Sequence, residues 1–169
     1  LFRSVLTRNY KFSGRSSRPA KDPFNAFLNY AFGILYSIIE KSLLIAGLDP
    51  YLGYLHRDDY NQLSFVFDFI EPYRIYAIEV VFKLFSGKKV KQMHTDKITN
   101  GITLNKAGKE LLINAFNCFM EEDTIRYKGR NQTRVNAIQS DAHVYANSLI
   151  RDTKDDDKEL KDLNEIFTL

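Results

Sequence analysis

His56, Asp68 and Glu71 are the residues of this 169-residue sequence whose types and spacing point to metal chemistry. Asp68 and Glu71 stand three apart in the run SFVFDFIEPYR, a spacing that puts both carboxylates on one face of a helix. Their neighbours Phe65, Val66, Phe67, Phe69 and Ile70 are apolar, so the segment is expected to be buried on most sides. Two carboxylates held together in a poorly solvated place repel each other, and a divalent cation relieves that repulsion. His56, in the loop ahead of them, is placed to supply a nitrogen ligand. Pro72 has no amide hydrogen for the carbonyl of Asp68, so a kink or loosened turn is expected beside the acids. Spacing alone leaves a plainer reading open: a buried helix with a proline kink, a salt bridge to Arg74 and a satisfied histidine.

The elements that must position these residues are mostly helical. Asp22-Pro23 opens a helix, with Asp22 capping and Pro23 at the first helical position. Its pattern runs from Phe24 to Ala46 and ends at Gly47. Apolar residues cover so much of its circumference that it belongs at the centre of a bundle. Pro50 and Gly53 turn the chain into the polar loop that carries His56. Ser64 to Phe85 lacks glycine and is read as a second long helix, kinked at Pro72 and stopped at Gly87. Asn100-Gly101 signals a small hairpin over Ile98 to Thr103. Asn105 caps a helix from Lys106 to Met120, with Cys118 expected in the core. Ile125 to Thr133 is read as a basic connector, and Gln132 to Ile150 as the last helix. The charged stretch after it docks as a short helix or frays. The expected fold class is all-α, a helical bundle with two long central helices and at most a tiny β-hairpin.

Composition is consistent with one domain holding a real core, at 44% hydrophobic and 14% aromatic residues. The single cysteine excludes an internal disulfide framework and fits a reducing, cytoplasmic compartment. No signal peptide is visible in Leu1 to Phe12, and no apolar run reads as a membrane span. The net charge of +3 is unevenly placed. Residues 1–21 carry no acid, and Ser13 to Lys21 is a loop by composition. Arg15 and Arg18 in that loop, Lys88, Lys89 and Lys91 after the second helix, and Arg126, Lys128 and Arg130 in the connector are candidate contacts to DNA phosphates. His94 and His143 are read as surface residues.

GLDPYLGYLH followed by LSFVFDFIEPYR resembles the core signature of the CRISPR-associated integrases of the Cas-one family. The upstream DPFNAFLNYAFGILYSIIEKSLLIAGLDP is similar to that family's preceding long helix, and GITLNKAGKELLINAF and RYKGRNQTRVNAIQSDAHVYANSLI also resemble it. The resemblance covers roughly residues 12 to 150 and implies joining of short DNA fragments to a CRISPR array by metal-dependent transesterification. By the same resemblance His56 takes the place of the family histidine, Glu71 of its final acid and Asp68 of the acid three residues before it. These three are the implied catalytic residues and metal ligands, and Asn25 is implied to fix the local backbone. Double-stranded DNA with 3′ ends, CRISPR repeat DNA, a homodimer and a Cas-two family protein are the implied partners. The family's first catalytic glutamate, in a Gly-x-Glu-Gly-like motif, has no counterpart in the sequence. Nor has its N-terminal β-rich dimerisation domain. The chain is therefore expected to be a C-terminal fragment with three parts: residues 1–21 as a helix end and basic linker, 22–152 as the helical catalytic core, and 153–169 as a charged tail.

Magnesium prefers oxygen ligands, whereas manganese accepts imidazole more readily, so Mg2+ or Mn2+ is the expected cofactor. A zinc hydrolase is disfavoured by the lack of paired histidine spacing and of a second cysteine. Two readings compete with the integrase: a non-catalytic DNA-binding or assembly module, and an all-helical domain that binds no metal.

Overall fold

The structure is a computed structural model that describes the backbone of residues 14–53 and 63–167, with side chains to residue 151. Helix α1 spans Pro23–Ile45. The Asp22 carboxylate accepts the Asn25 amide hydrogen at 2.8 Å, and Pro23 occupies the first turn, where its missing N–H costs nothing. The Asn25 side chain is 0% exposed. It accepts from the Ser16 amide (3.1 Å) and donates to the Gly14 carbonyl (2.8 Å) and to Asp22 Oδ2 (2.6 Å). Those bonds fix the basic linker against the start of α1, as the family resemblance implies for Asn25. By length and mean hydropathy, 1.2 over its most apolar window, α1 is long and apolar enough to cross a membrane, contrary to the sequence expectation. In the fold, its Phe27, Leu35, Ile39 and Leu43 are wholly buried among the other elements.

The expected second long helix is two helices. Helix α2 spans Ser64–Phe69, a 3-10 turn spans Glu71–Tyr73, and α3 spans Arg74–Ser86. Pro72 removes one backbone donor, and the chain tightens to i→i+3 bonding through Tyr73 N–H to the Ile70 carbonyl at 2.9 Å. α3 packs on α1 through Phe85, whose ring meets Phe24 and Phe27 edge-on at centroid distances of 5.1 and 5.5 Å.

Strands β1 (Thr95–Ile98) and β2 (Gly101–Leu104) form the expected hairpin. Its two loop residues are Thr99 and Asn100, and Asn100 takes the left-handed conformation at φ 66°. Gly101 is instead needed for space, because a Cβ there would lie 2.6 Å from Pro19 Cβ. Ile102 N–H bonds the Ala20 carbonyl at 2.8 Å, so the hairpin also holds the linker. Helix α4 spans Lys106–Asn117 and is capped by Asn105, which accepts the Gly108 amide hydrogen at 3.0 Å. A π-helical turn, Cys118–Glu122, replaces the expected end of this helix. Phe119 and Met120 in this turn are buried, and Cys118 is exposed, against the expectation of a core cysteine.

The stretch read as a basic connector is a second hairpin, β3 (Thr124–Tyr127) and β4 (Arg130–Thr133). Lys128 and Gly129 form its two-residue loop with φ of 47° and 79°, the positive values that suit a tight antiparallel turn. Helix α5 then runs from Arg134 to Phe167, longer than the expected Gln132 to Ile150. The fold class is as expected, mainly helical, with two small hairpins rather than one among the described residues.

Gly108 sets the approach of α4 to the turn before β1. A Cβ at this position would stand 2.1 Å from the His94 carbonyl oxygen, which is backbone and cannot step aside. Gly108→Ala is expected to destabilise the fold by about 1–3 kcal/mol, the usual cost of overpacking, read as a lower urea midpoint with an unchanged slope.

Candidate functional site

Asp68 lies on α2 one turn before the break, and Glu71 opens the 3-10 turn. The expectation that both acids are enclosed does not hold. Asp68 is half-buried, and the Glu71 side chain is 57% exposed. The apolar neighbours divide between two sides: Phe65, Val66 and Ile70 enter the core, whereas Phe67 and Phe69 are only half-buried. Glu71 Oε1 accepts from Arg74 Nη1 at 2.7 Å, the salt bridge of the plainer sequence reading. The Arg74 guanidinium also lies 5.0 Å from the ring centre of Phe32 on α1. Arg15 approaches the same ring at 5.6 Å and bonds Asn25 Oδ1 at 3.2 Å. Burial first, and then the like charge of Arg74, push the Arg15 guanidinium below its ordinary pKa.

His56 lies outside the described residues. Among the described residues, no group of three or more His, Cys, Asp or Glu side chains could hold a metal ion. The two carboxylates nonetheless supply the hard oxygen donors that magnesium and manganese take. Arg74 competes for Glu71, but an ion pair this exposed is worth no more than about 1 kcal/mol, which a dication readily overcomes.

A second cluster stands behind the turn. The Asp141 carboxylate on α5 accepts from the Tyr73 hydroxyl at 2.6 Å, from the Tyr127 hydroxyl at 2.6 and 2.7 Å, and from Lys128 Nζ at 2.8 Å. Burial works to raise the Asp141 pKa. The bonds from Lys128, Tyr127 and Tyr73 outweigh it and bring the carboxyl below its ordinary value. Burial, reinforced by the bond to Asp141, pushes the Tyr73 hydroxyl well up, and the bond to Asp141 pushes Tyr127 up to about 12. Sequence reasoning misses this cluster: it assigns Lys128 to DNA, and nothing local pairs Tyr73 with Asp141.

Of the other cations assigned to DNA, Arg18, Lys88, Lys89 and Lys91 are exposed. Lys88 stands at φ 55° in the turn that ends α3. Arg126 and Arg130 are exposed on the β3–β4 hairpin, where their strands pair antiparallel.

The sequence model of the family described as CRISPR associated protein Cas1 matches residues 1–118, the span that holds His56, Asp68 and Glu71. The chain belongs to the Cas1 family. Among curated Cas1 relatives, a CRISPR-associated endonuclease Cas1 of Saccharolobus solfataricus is 35% identical over 147 residues, 86% of this chain and 45% of that protein. A CRISPR-associated protein Cas1 of Methanobrevibacter ruminantium is 39% identical over 102 residues, 60% of this chain and 30% of that protein. The chain spans less than half the length of the curated Cas1 relatives it matches. Its fold is similar to a casposase bound to integration product, with a TM-score of 0.80 at 22% identity over 86% of this chain and 44% of that one. It is also similar to a Cas1 protein from Thermotoga maritima, with a TM-score of 0.78 at 22% identity, covering 88% of this chain and 47% of that one. A Cas6-RT-Cas1–Cas2 complex contains a further match, with a TM-score of 0.75 at 22% identity over 89% of this chain and 17% of that one.

The Asp141 cluster sets a pH dependence. The folded carboxyl titrates below its ordinary 3.8, so its stabilising contribution is present above that pH and is lost as pH falls through the folded value. Tyr127 works in the opposite direction: its contribution is full below the ordinary 10.0 and is lost as pH rises towards about 12. Thermal midpoints measured against pH are expected to show both limbs. Asp141→Asn should flatten the acid limb, and Tyr127→Phe should make the alkaline one shallower, with Tyr73 keeping the rest.

Proposed function

We propose that the chain is the helical catalytic part of a metal-dependent DNA endonuclease or integrase that acts in CRISPR spacer acquisition. The observation that carries this reading is the placement of Asp68 and Glu71 across a helix break, inside the span that matches Cas1. His56, Glu71 and Asp68 would hold one Mg2+ or Mn2+. That ion, when bound, would polarise a phosphodiester and stabilise the charge that develops when a DNA 3′-hydroxyl attacks it. Glu71 would change partner on taking the ion, leaving Arg74. Arg74 is then free to meet a phosphate beside the site. Arg15, Arg18, Lys88, Lys89, Lys91, Arg126 and Arg130 neutralise backbone phosphates without reading sequence.

The names of the relatives support an endonuclease. The casposase on its integration product supports a DNA substrate, and the Cas1–Cas2 complexes support a Cas2 partner for the intact protein. A homodimer acting in the cytoplasm completes the proposal. One observation favours the second reading, a non-catalytic DNA-binding or assembly module: Glu71 is already paired with Arg74.

Manganese titration by calorimetry separates the two readings. The chain is expected to bind one Mn2+, and Glu71→Ala to lose that binding; equal binding by both would refute the site. In the intact protein, Glu71→Ala or His56→Ala should abolish DNA joining while circular dichroism stays helical. Asp68→Asn should do less if its carboxylate acts behind the other two. The 169 residues alone are expected to be poor at joining, because a loosely held metal can shift, and a misplacement of about 1 Å costs on the order of a hundredfold. Strong metal-dependent cleavage by the chain alone would count against that statement.

DNA affinity should fall steeply with salt and vary little with sequence. Replacing Arg126 and Arg130 together with Ala is expected to reduce the slope of log affinity against log salt by about 2, one for each phosphate that is no longer neutralised. An unchanged slope would remove the β3–β4 hairpin from the DNA interface.

A further inference from the structure

We propose that Asp141 is a positioning residue for the metal-binding turn, holding Glu71–Pro72–Tyr73 through the Tyr73 hydroxyl in the arrangement from which Glu71 and Asp68 take one cation. The proposal rests on the reading above that these two acids bind a divalent metal.

The turn has little to hold it by itself. It is three residues of 3-10 helix with no side-chain cap, and Pro72 takes away a backbone donor. Tyr73 ties it to the rest of the fold. Its side chain is 8% exposed, and its ring sits between Phe69 of α2 at 5.7 Å and Tyr76 of α3 at 6.0 Å. With the ring fixed on both sides of the break, the hydroxyl points at one place, the Asp141 carboxylate 2.6 Å away. Asp141 comes from α5, an element that belongs neither to the helix before the break nor to the one after it.

Asp141 is itself prevented from turning. Tyr127 and Lys128, from the β3–β4 hairpin, donate to the same carboxylate. A carboxylate accepting from three donors has most of its acceptor sites engaged and is poorly suited to be a metal ligand. It is well suited to hold the backbone that presents one. Glu71 is two residues from Tyr73 in the same turn, so a turn free to rock would move the Glu71 carboxylate relative to Asp68. Groups that orient a ligand from behind typically contribute about ten- to a hundredfold to metal affinity.

A purely structural role makes a different forecast. Tyr73→Phe and Tyr127→Phe each delete one hydroxyl donor to the same carboxylate while keeping the ring. If Asp141 only binds the fold together, the two variants behave alike. If it positions the turn, they separate, because only Tyr73 belongs to the turn.

The test is Mn2+ titration of the intact protein by calorimetry, with thermal midpoints measured in parallel. Tyr73→Phe and Asp141→Ala are expected to weaken Mn2+ binding on the order of tenfold. Tyr127→Phe should weaken Mn2+ binding far less than Tyr73→Phe, because Lys128 still holds the Asp141 carboxylate, even if its midpoint drops as far. Asp141→Asn, which keeps an oxygen acceptor of the same shape, should recover most of the affinity that Asp141→Ala loses. Equal affinities for Tyr73→Phe and Tyr127→Phe overturn the proposal, and this holds even if Asp141→Ala fails to fold. Glu71→Ala is the control for the reading beneath it. Wild-type Mn2+ affinity in Glu71→Ala removes the metal site itself. Loss of binding in Glu71→Ala, with no change in Tyr73→Phe, removes only the role of Asp141.

Discussion

A proline ring in place of an amide hydrogen sets the geometry of the acidic segment. Had residue 72 an N–H, the helix from Ser64 could continue, and Glu71 would sit on a regular surface beside Asp68. Without it the chain tightens for three residues and then resumes as α3. The core is little disturbed, because Val66, Ile70, Ala77 and Val81 are all buried across the break. The change is felt on the outer side, where Glu71 and Pro72 are exposed and the carboxylate meets Arg74. A break at this point spends backbone bonding on the presentation of an acid. Such local irregularity is tolerated when the surroundings hold it in place.

Aromatic rings supply much of that holding. Phe65, Phe69, Tyr73, Tyr76 and Phe119 follow one another at centroid distances of 5.9, 5.7, 6.0 and 6.0 Å, from α2 through the turn to α3 and the π-helical turn. Tyr145 of α5 meets Phe65 at 5.3 Å, and Arg134 lies against the Phe119 ring at 3.6 Å while donating to the Phe119 carbonyl at 2.7 Å. Ring pairs of this kind add about 0.5–1.5 kcal/mol each beyond their buried area. The row of rings crosses the place where backbone bonding is weakest. Side-chain packing thus carries continuity that the helix ladder does not.

The sequence is most legible where the physics is local. Asp22-Pro23 and Asn105 cap helices because the acceptor and the amide it serves are three residues apart. The Asn100-Gly101 pair marks the first hairpin, although Asn100 supplies the turn conformation and Gly101 the close approach to Pro19. The second hairpin escapes a sequence reading because Lys128 is no turn residue by type; it bends at φ 47° while its ammonium is bound to Asp141. Spacing finds the acids but misjudges their exposure, since five apolar neighbours in one run cannot all face one core. Cys118 is misread because it stands among apolar residues, although helical spacing puts it off the buried side that Leu112, Phe116 and Phe119 share. Tyr73 and Asp141 lie 68 residues apart, and no periodicity in one chain links them.

The basic segment ahead of α1 is secured at both ends. Asn25 grips Gly14 and Ser16, and β2 grips Ala20 through the bond from Ile102. A segment so composed of glycine, serine and proline would ordinarily behave as a swivel. Stapled twice, it behaves as a bracket. Arg15 and Arg18 are therefore presented from a fixed origin relative to α1, on a backbone set by contacts rather than by diffusion of a tether.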